Sequence, residues 1–367
     1  MTSQSSPTTK RTLFSPADER TSKPSPAQLQ AMGEALTPKT LSLIILPTEK
    51  CNFRCTYCYE SFDIGKMSAE TVSAIKQLID SRMGDLENLN LSWFGGEPLA
   101  AADVVLDIAE YAAMRCKESN VKLSCVDITT NGALLDSNLL DRLIACGQNR
   151  FQISLDGWKD GHDETRKGGN GGGTFDLVWN ALLMLKASTY DIGVVIRIHL
   201  TNRNRESVLE LAQHVKHEFG ADPRFSVFLK AIENLGGPQS SSITPLKGSE
   251  RNDYMAALKT ALAGMRGISS EELHKDSSYI CYASKPNNLI IRANGRLAKC
   301  TVAFEDPKND VGHIRPDGTL SIDNSKLGFW FRGLHTRDAD VLSCPVWVRP
   351  YESLPKQKVV NIAEIPV

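Results

Sequence analysis

Leu41-Ser42-Leu43-Ile44-Ile45-Leu46, followed four residues later by Cys51-Asn52-Phe53-Arg54-Cys55-Thr56-Tyr57-Cys58, decides how this chain is read. The first run is short and continuously apolar, the pattern of a strand buried on both faces. The second sets three thiols within eight residues, spaced C-x3-C-x2-C, in the loop that leaves that strand. Three thiolates so spaced can converge on one soft metal centre. Strand C-terminal edges are where α/β folds carry their chemistry.

Outward from that loop, strand and helix alternate. Ser68 is a helix N-cap, with Val72, Ile75, Leu78 and Ile79 at helical spacing behind it. Strands are expected at 89–94, 126–129, 151–155, 192–200 and 225–229. Helices are expected at 103–115 (capped by Asp103), 138–145, 175–186 and 207–215. About six alternations predict an α/β fold, a parallel sheet with covering helices. Right-handed crossovers wind such a chain into a doubly wound sheet or a barrel, and periodicity does not choose between them.

The ends differ from this core. Residues 1–38 are rich in Ser, Thr, Pro and Lys and are expected to be a mobile tail. The core runs from 39 to 235. Residues 236–280 form a Gly/Ser/Pro-rich linker and a bridging helix with Met255, Leu258, Leu262 and Met265 on one side. A small α+β module follows at 281–355, with a hairpin signal at Asn294-Gly295, and 356–367 is a peripheral tail.

Lys plus Arg number 42 and Asp plus Glu 43, a net charge of −1, which argues against nucleic acid or an anionic membrane as the main partner. No apolar run reaches the ~18–20 residues of a membrane span. Residues 1–40 hold no apolar signal core, so a cytoplasmic location is expected. Nine cysteines, an odd number, read as metal ligands and free thiols rather than as a disulfide framework.

Three thiolates are one short of the four that close a zinc site or a cubane cluster. A three-thiolate cubane leaves one iron with an open position, which suits a cluster that binds a substrate. A zinc knuckle with a distant fourth ligand, or plain free cysteines, are the alternatives. With Tyr57 in the aromatic place, the loop resembles the C-x3-C-x-aromatic-C signature of the radical S-adenosylmethionine (SAM) enzymes, and the resemblance extends over roughly 41–235. It implies a partial (β/α)6 barrel of TIM type and a [4Fe–4S] cluster on the catalytic Cys51, Cys55 and Cys58. It also implies that the open iron chelates the methionine part of SAM. One electron, from a donor such as flavodoxin or ferredoxin, then cleaves the sulfur–C5′ bond. The 5′-deoxyadenosyl radical so released abstracts a hydrogen atom.

Four further segments match that family. Gly95-Gly96-Glu97-Pro98 resembles the motif that holds the methionine amino group: glycines let a backbone come close, and Glu97 can accept from an amine. Thr129, Thr130 and Asn131 end a strand and suit ribose hydroxyls; an ordinary Asn-Gly turn is the alternative. Ser154 and Arg166 are candidates for the SAM carboxylate or ribose. Asp156 faces SAM or substrate, or caps a helix. Arg197, mid-strand in an apolar stretch, needs an anion: the SAM carboxylate or an internal carboxylate. Gly168–Gly173 lacks a phosphate-loop ending and is expected to be a flexible loop beside the site.

Cys281 and Cys300, with Gly295 between them in a C-x13-G-x4-C pattern, resemble the opening of the SPASM extension of radical SAM maturases. Only Cys344 follows, where that extension carries five more cysteines, so the resemblance is to the shortened form called twitch. It implies one auxiliary [4Fe–4S] cluster on Cys281, Cys300 and Cys344, its fourth ligand unassigned; three unrelated buried cysteines are the alternative. Cys116, Cys125 and Cys146 are expected to be structural. The extension and the His162-Asp163-x-x-Arg166 segment imply a precursor-peptide substrate and a side-chain crosslink. A small-molecule dehydrogenase or lyase and a sulfatase-type maturase are the alternatives. Lys230 and Glu233, after the sixth strand, are expected to face the substrate or, as the alternative, a solvated rim.

Overall fold

The computed structural model describes residues 25–238, 243–275 and 278–346. It opens on a helix, α1 (Pro26–Leu36), inside the stretch expected to be a mobile tail. Ser25 accepts a hydrogen bond from the Gln28 N–H at 3.1 Å, and Pro26 stands where a missing N–H costs nothing. The helix is held by burial of Met32 and Ala35 against Ile280 and Leu342, far away in sequence. Composition of the segment could not reveal that partner.

The alternation follows: β1 (Thr40–Ile45), α2 (Ala69–Arg82), β2 (Asn88–Trp93), α3 (Ala102–Glu118), β3 (Lys122–Thr130), α4 (Ser137–Ala145), β4 (Arg150–Leu155), a short α5 (Asp160–Asp163), α6 (Phe175–Ala187), β5 (Gly193–Leu200), α7 (Arg205–Phe219) and β6 (Phe225–Ala231). Ser68 caps α2 through the Thr71 N–H at 3.2 Å. Val72, Ile75, Leu78 and Ile79 are its buried face, each contributing roughly 1.5–3 kcal/mol by burial. Asp103 does not cap α3. A 3-10 turn at Pro98–Ala101 leads into the helix, and Asp103, in the first turn, pairs with Lys66 at 2.5 Å.

Strands β1 to β6 lie side by side in sequence order and every pair is parallel. A doubly wound sheet would reverse direction at its first strand. Steady one-way winding makes a partial barrel, so strand order settles what periodicity left open. The segment expected to be linker adds α8 (Gly248–Ala261), β7 (Gly267–Ser269) and α9 (Ser270–Lys275), and β7 pairs with β6.

The C-terminal module is joined to the same sheet. Its β8 (Asn288–Ile291) pairs in parallel with the other side of β1, from Ser42↔Asn288 to Ile45↔Ile291. Then β9 (Arg296–Ala298), β10 (Gly312–Ile314) and β11 (Leu320–Ile322) extend it as an antiparallel meander, with α10 (Asn324–Thr336) and α11 (Ala339–Ser343) beyond. An open β1 edge would leave backbone groups unpaired, and β8 satisfies them. The sheet ends at β7 and β11 without closing. Arg292 adds a forked, largely buried ion pair to Glu49, at 3.1 and 2.5 Å, between the module and the loop ahead of Cys51. Trp347, Pro350 and the 356–367 segment lie outside the described residues.

Candidate active site

The cysteine loop leaves β1 and is laced to the segment after α5. Arg54 N–H donates to Lys167 O at 2.7 Å, Thr56 N–H to Thr165 O at 2.9 Å, and Gly169 N–H to Asn52 O at 2.7 Å. The glycine run is therefore an ordered brace, not a flexible loop: a side chain at Gly169 would meet Asn52 O at 3.2 Å. The Cys51, Cys55 and Cys58 thiols lie close enough to raise one another's pKa. Burial is the larger cause and pushes Cys51 to about 11 and Cys58 to about 12. Metal binding must displace those protons. Among the described residues, no three His, Cys, Asp or Glu side chains group as ligands of a single ion.

Gly95 and Gly96 prove to be packing devices. Gly95 has φ +115°, and a Cβ there would lie 2.3 Å from Thr48 O; one on Gly96 would lie 2.5 Å from Lys50 O. They let β2 end against the chain that leads into Cys51. Glu97 is fully buried and accepts from Leu99 N–H (3.0 Å), the Thr130 hydroxyl (2.7 Å) and Asn131 N–H (2.7 Å). Burial raises its pKa and the three donors oppose this. Asn131 reaches on to Asn52 Oδ1 at 2.7 Å, tying the end of β3 to the cysteine loop. Thr129 points the other way along the strand, its hydroxyl donating to Asp127 at 2.6 Å and accepting from Gln152 at 3.0 Å.

Behind the thiols lies a buried polar network. Tyr57 Oη accepts from Arg166 at 2.9 Å and donates to Asp156 Oδ1 at 3.0 Å. Thr165 donates to Asp156 Oδ2 at 2.7 Å. His199, which sequence reading missed, contacts Asp156 Oδ1 through Nδ1 at 3.0 Å, and Arg197 Nε donates to its Nε2 at 2.9 Å. An arginine only donates, so Nε2 is the acceptor and the proton sits on Nδ1. Burial lowers the His199 pKa to about 4, keeping it neutral, although Asp156 opposes this. Burial alone would raise Asp156, but its hydrogen bond with His199 and the Arg166 guanidinium hold it below the usual carboxylate range. Ser154, also buried, is opposite Arg197 in the β4–β5 register. Arg197 thus has a histidine, not a carboxylate, at its Nε, and its guanidinium lies over Phe228.

The Arg166 guanidinium lies in the field of the ionised Asp156. Arg166 Nε is buried with no hydrogen-bond partner. A buried donor left unmade is costly, and an anion is what would satisfy it. The residues present therefore fit SAM, with a carboxylate beside Arg166 and a sulfur-ligated cluster in front. Lys230 and Glu233 form a 3.0 Å pair with side chains about 19% and 24% exposed, so they are half-buried rather than fully solvated.

The second thiol set assembles from three distant segments. Cys281 N–H donates to Leu342 O at 2.9 Å, drawing 281 beside the turn that carries Cys344. Asn309 holds Cys300 on both sides, accepting from its N–H at 2.9 Å and donating to its carbonyl at 2.7 Å. All three thiols influence one another, and burial raises Cys281 to about 11 and Cys300 to about 12. Tyr59 stands in the field of both Cys58 and Cys300, and burial of its hydroxyl is the main cause that raises its pKa. Gly237 packs on the Tyr59 backbone, where a Cβ would lie 2.5 Å from its Cα. Cys300 is buried and Cys281 and Cys344 half-buried, and the three thiols lie within one another's field without grouping as ligands of a single ion. Cys116, Cys125 and Cys146 lie in the barrel core, apart from both sets.

Residues 45–215 match the family model described as Radical SAM superfamily. Among curated proteins, the chain is 25% identical over 231 residues to a cysteine-type anaerobic sulfatase-maturating enzyme of Clostridium novyi, covering 60% of this chain and 59% of that one. It is 35% identical over 136 residues to a GTP 3′,8-cyclase of Paenarthrobacter nicotinovorans, covering 36% and 34%. The chain thus spans between a third and three fifths of these relatives. Among solved structures, native anSMEcpe with bound AdoMet and Cp18Cys peptide aligns with a TM-score of 0.59 at 20% identity, over 80% of this chain and 83% of that one. SuiB of Streptococcus suis, bound to precursor peptide SuiA, aligns at 0.53 and 16%, over 83% and 67%. These likenesses show the fold.

Proposed function

We propose, for a chain whose residues 45–215 match the radical SAM family model, that this enzyme cleaves SAM reductively and modifies a ribosomally made peptide. The product proposed is a carbon–carbon, carbon–oxygen or thioether crosslink. The observation that carries the reading is Tyr59, a half-buried side chain whose hydroxyl lies in the field of one thiol from each set, Cys58 and Cys300. A crosslink made by hydrogen abstraction removes two electrons in all. The abstraction takes one, and a cluster next to the substrate can take the other.

When bound, the first cluster supplies one electron that breaks the sulfur–C5′ bond, and the radical so formed takes a hydrogen atom from substrate. Cys51, Cys55 and Cys58 would hold that cluster. Arg166 would turn its unpartnered Nε to the SAM carboxylate. Tyr57, Asp156 and His199 hold Arg166 and Arg197 in place and keep the local protons fixed. Glu97 has lone-pair capacity beyond its three donors and would receive the amino group, with Asn131 beside it. Ser154, opposite Arg197, is the candidate for the SAM carboxylate or ribose. Cys281, Cys300 and Cys344 would hold the auxiliary cluster. The electron that primes cleavage would come from a low-potential donor of the flavodoxin or ferredoxin class.

A peptide substrate is supported by the fold neighbours solved with peptides. The sulfatase-maturating relative favours a second reading, oxidation of a single residue in a protein. Anaerobic incubation with SAM, reductant and candidate peptides tests both. Formation of 5′-deoxyadenosine, with loss of two hydrogen atoms and no backbone fragments between two linked residues, is the expected result. An oxidation confined to one residue would favour the second reading. Turnover of a nucleotide without any peptide product would overturn both.

A further inference from the structure

Resting on the reading of Arg166 as the residue that meets the SAM carboxylate, we propose that His162 is a positioning residue that, through Thr174, fixes the backbone from which Arg166 reaches SAM. His162 stands four residues ahead of Arg166 and is fully buried. Its partners define its tautomer. The Asp156 N–H points at His162 Nδ1 at 3.4 Å, and an N–H only donates, so Nδ1 is the acceptor. The Thr174 hydroxyl gives its one proton to Arg166 O at 2.5 Å. Its oxygen is then the acceptor for His162 Nε2, 3.2 Å away, and the ring carries its proton there. Burial lowers the His162 pKa to about 4, so the ring is neutral and holds this one tautomer at neutral pH.

The links close a ring of hydrogen bonds around Arg166. From the Asp156 N–H, His162 and Thr174 lead to the Arg166 carbonyl. From the Asp156 carboxylate, Tyr57 leads to the Arg166 guanidinium. Arg166 N–H donates to His162 O at 2.9 Å. Thr174 is itself held, its N–H donating to Asp163 Oδ1 at 2.6 Å. Arg166 is thus fixed at its N–H, its carbonyl and one terminal nitrogen, and Nε is the buried donor left without a partner. A long side chain loses rotamer freedom when it takes a ligand, and one already aimed by the fold has less to lose. Without the His162 ring, the Thr174 hydroxyl is free to turn from the Arg166 carbonyl, and the buried Asp156 N–H has lost its acceptor. His162 also packs edge-on against Phe175, with ring centroids 5.7 Å apart, so the test must separate aim from packing.

The test uses the full chain, reconstituted anaerobically with iron and sulfide, and reads SAM affinity by equilibrium dialysis without reductant, so that no turnover is involved. Arg166→Gln should weaken SAM roughly tenfold or more, the weight of a hydrogen bond to a charged group. Thr174→Val, which keeps the shape and removes the hydroxyl, should weaken it about fivefold. His162→Leu should do the same, and the two together no more than either alone, since both cut one path. His162→Gln, which can return an N–H to the Thr174 hydroxyl, should restore most of the affinity. In the Arg166→Gln background, neither His162→Leu nor Thr174→Val should weaken SAM further. If both variants bind SAM as the parent does, the inference is overturned. If they weaken SAM as much with Arg166→Gln as without it, their effect bypasses Arg166 and the inference is overturned as well. Should His162→Leu fail to fold, Thr174→Val and its combination with Arg166→Gln decide between the same outcomes. If Arg166→Gln itself leaves the affinity unchanged, the reading of Arg166 falls and the inference with it, a result distinct from the others.

Discussion

The two thiol sets differ in how they are built. Cys51, Cys55 and Cys58 come from one loop of eight residues, braced by backbone bonds to 165–169. Cys281, Cys300 and Cys344 come from three segments, joined by one backbone bond to Leu342, by Asn309, and by packing of α1, α10 and α11. A local set needs little beyond its own loop. A dispersed set exists only where distant parts of the chain hold their places. Damage far from the metal should therefore reach the second set sooner than the first.

The sharpest test of that contrast removes the thiols themselves. Changing Cys51, Cys55 and Cys58 to Ala should abolish 5′-deoxyadenosine formation, measured by chromatography and mass spectrometry. Changing Cys281, Cys300 and Cys344 should leave part of the cleavage and lose the modified product. Residual cleavage in the first variant would reverse the assignment.

Next in size is the tie between the two regions. Glu49→Gln leaves Arg292 buried without its charge partner, and breaking a buried pair costs about 3–5 kcal/mol. Urea unfolding should show that loss. Iron retention should fall more at the auxiliary set, whose module Arg292 anchors, than at the loop set.

Acid should separate them as well. His162 and His199 are buried, neutral and lowered to about 4 from an ordinary 6.5. Between those values the unfolded chain binds two protons that the folded chain refuses, so stability rises with pH across this window and is lost as pH falls from about 6.5 to about 4. Both histidines serve the loop region, so His199→Gln should flatten the melting temperature against pH while leaving the auxiliary region as it was. A slope that is unchanged would mean His199 does not titrate as described.

The smallest effect is expected at α1. Met32→Ala should cost about 2 kcal/mol, the low end for a buried methionine at a periphery. Hydrogen exchange should quicken around Ile280 and Leu342 and stay unchanged in the 51–58 loop. Equal loosening of both would erase the contrast.

Much of this was legible in the chain, and the pieces that were not share a cause. Ser68, the α2 face and the strand rhythm could be read because capping and periodicity act within a few residues. Gly95-Gly96-Glu97 could be picked out as a motif, yet the reason for its glycines, the carbonyls of Thr48 and Lys50, lies across the sheet. His199 stands one turn of the pleat from Arg197 and gave no signal, since its meaning comes from Asp156 just past the end of β4. α1 was hidden because its partners, Ile280 and Leu342, lie some way down the chain.

The order of the residues alone determined the α/β rhythm, the three-thiol loop at the end of its first strand, and the presence of further cysteines downstream. Those are properties of short range, where spacing fixes which side chains share a face. Tertiary structure decided that the strands wind one way, that the C-terminal module joins the barrel through β1 and β8, and that Cys281 and Cys300, with Cys344, come within one another's field. These depend on burying apolar surface and pairing backbone groups between segments that the sequence keeps far apart.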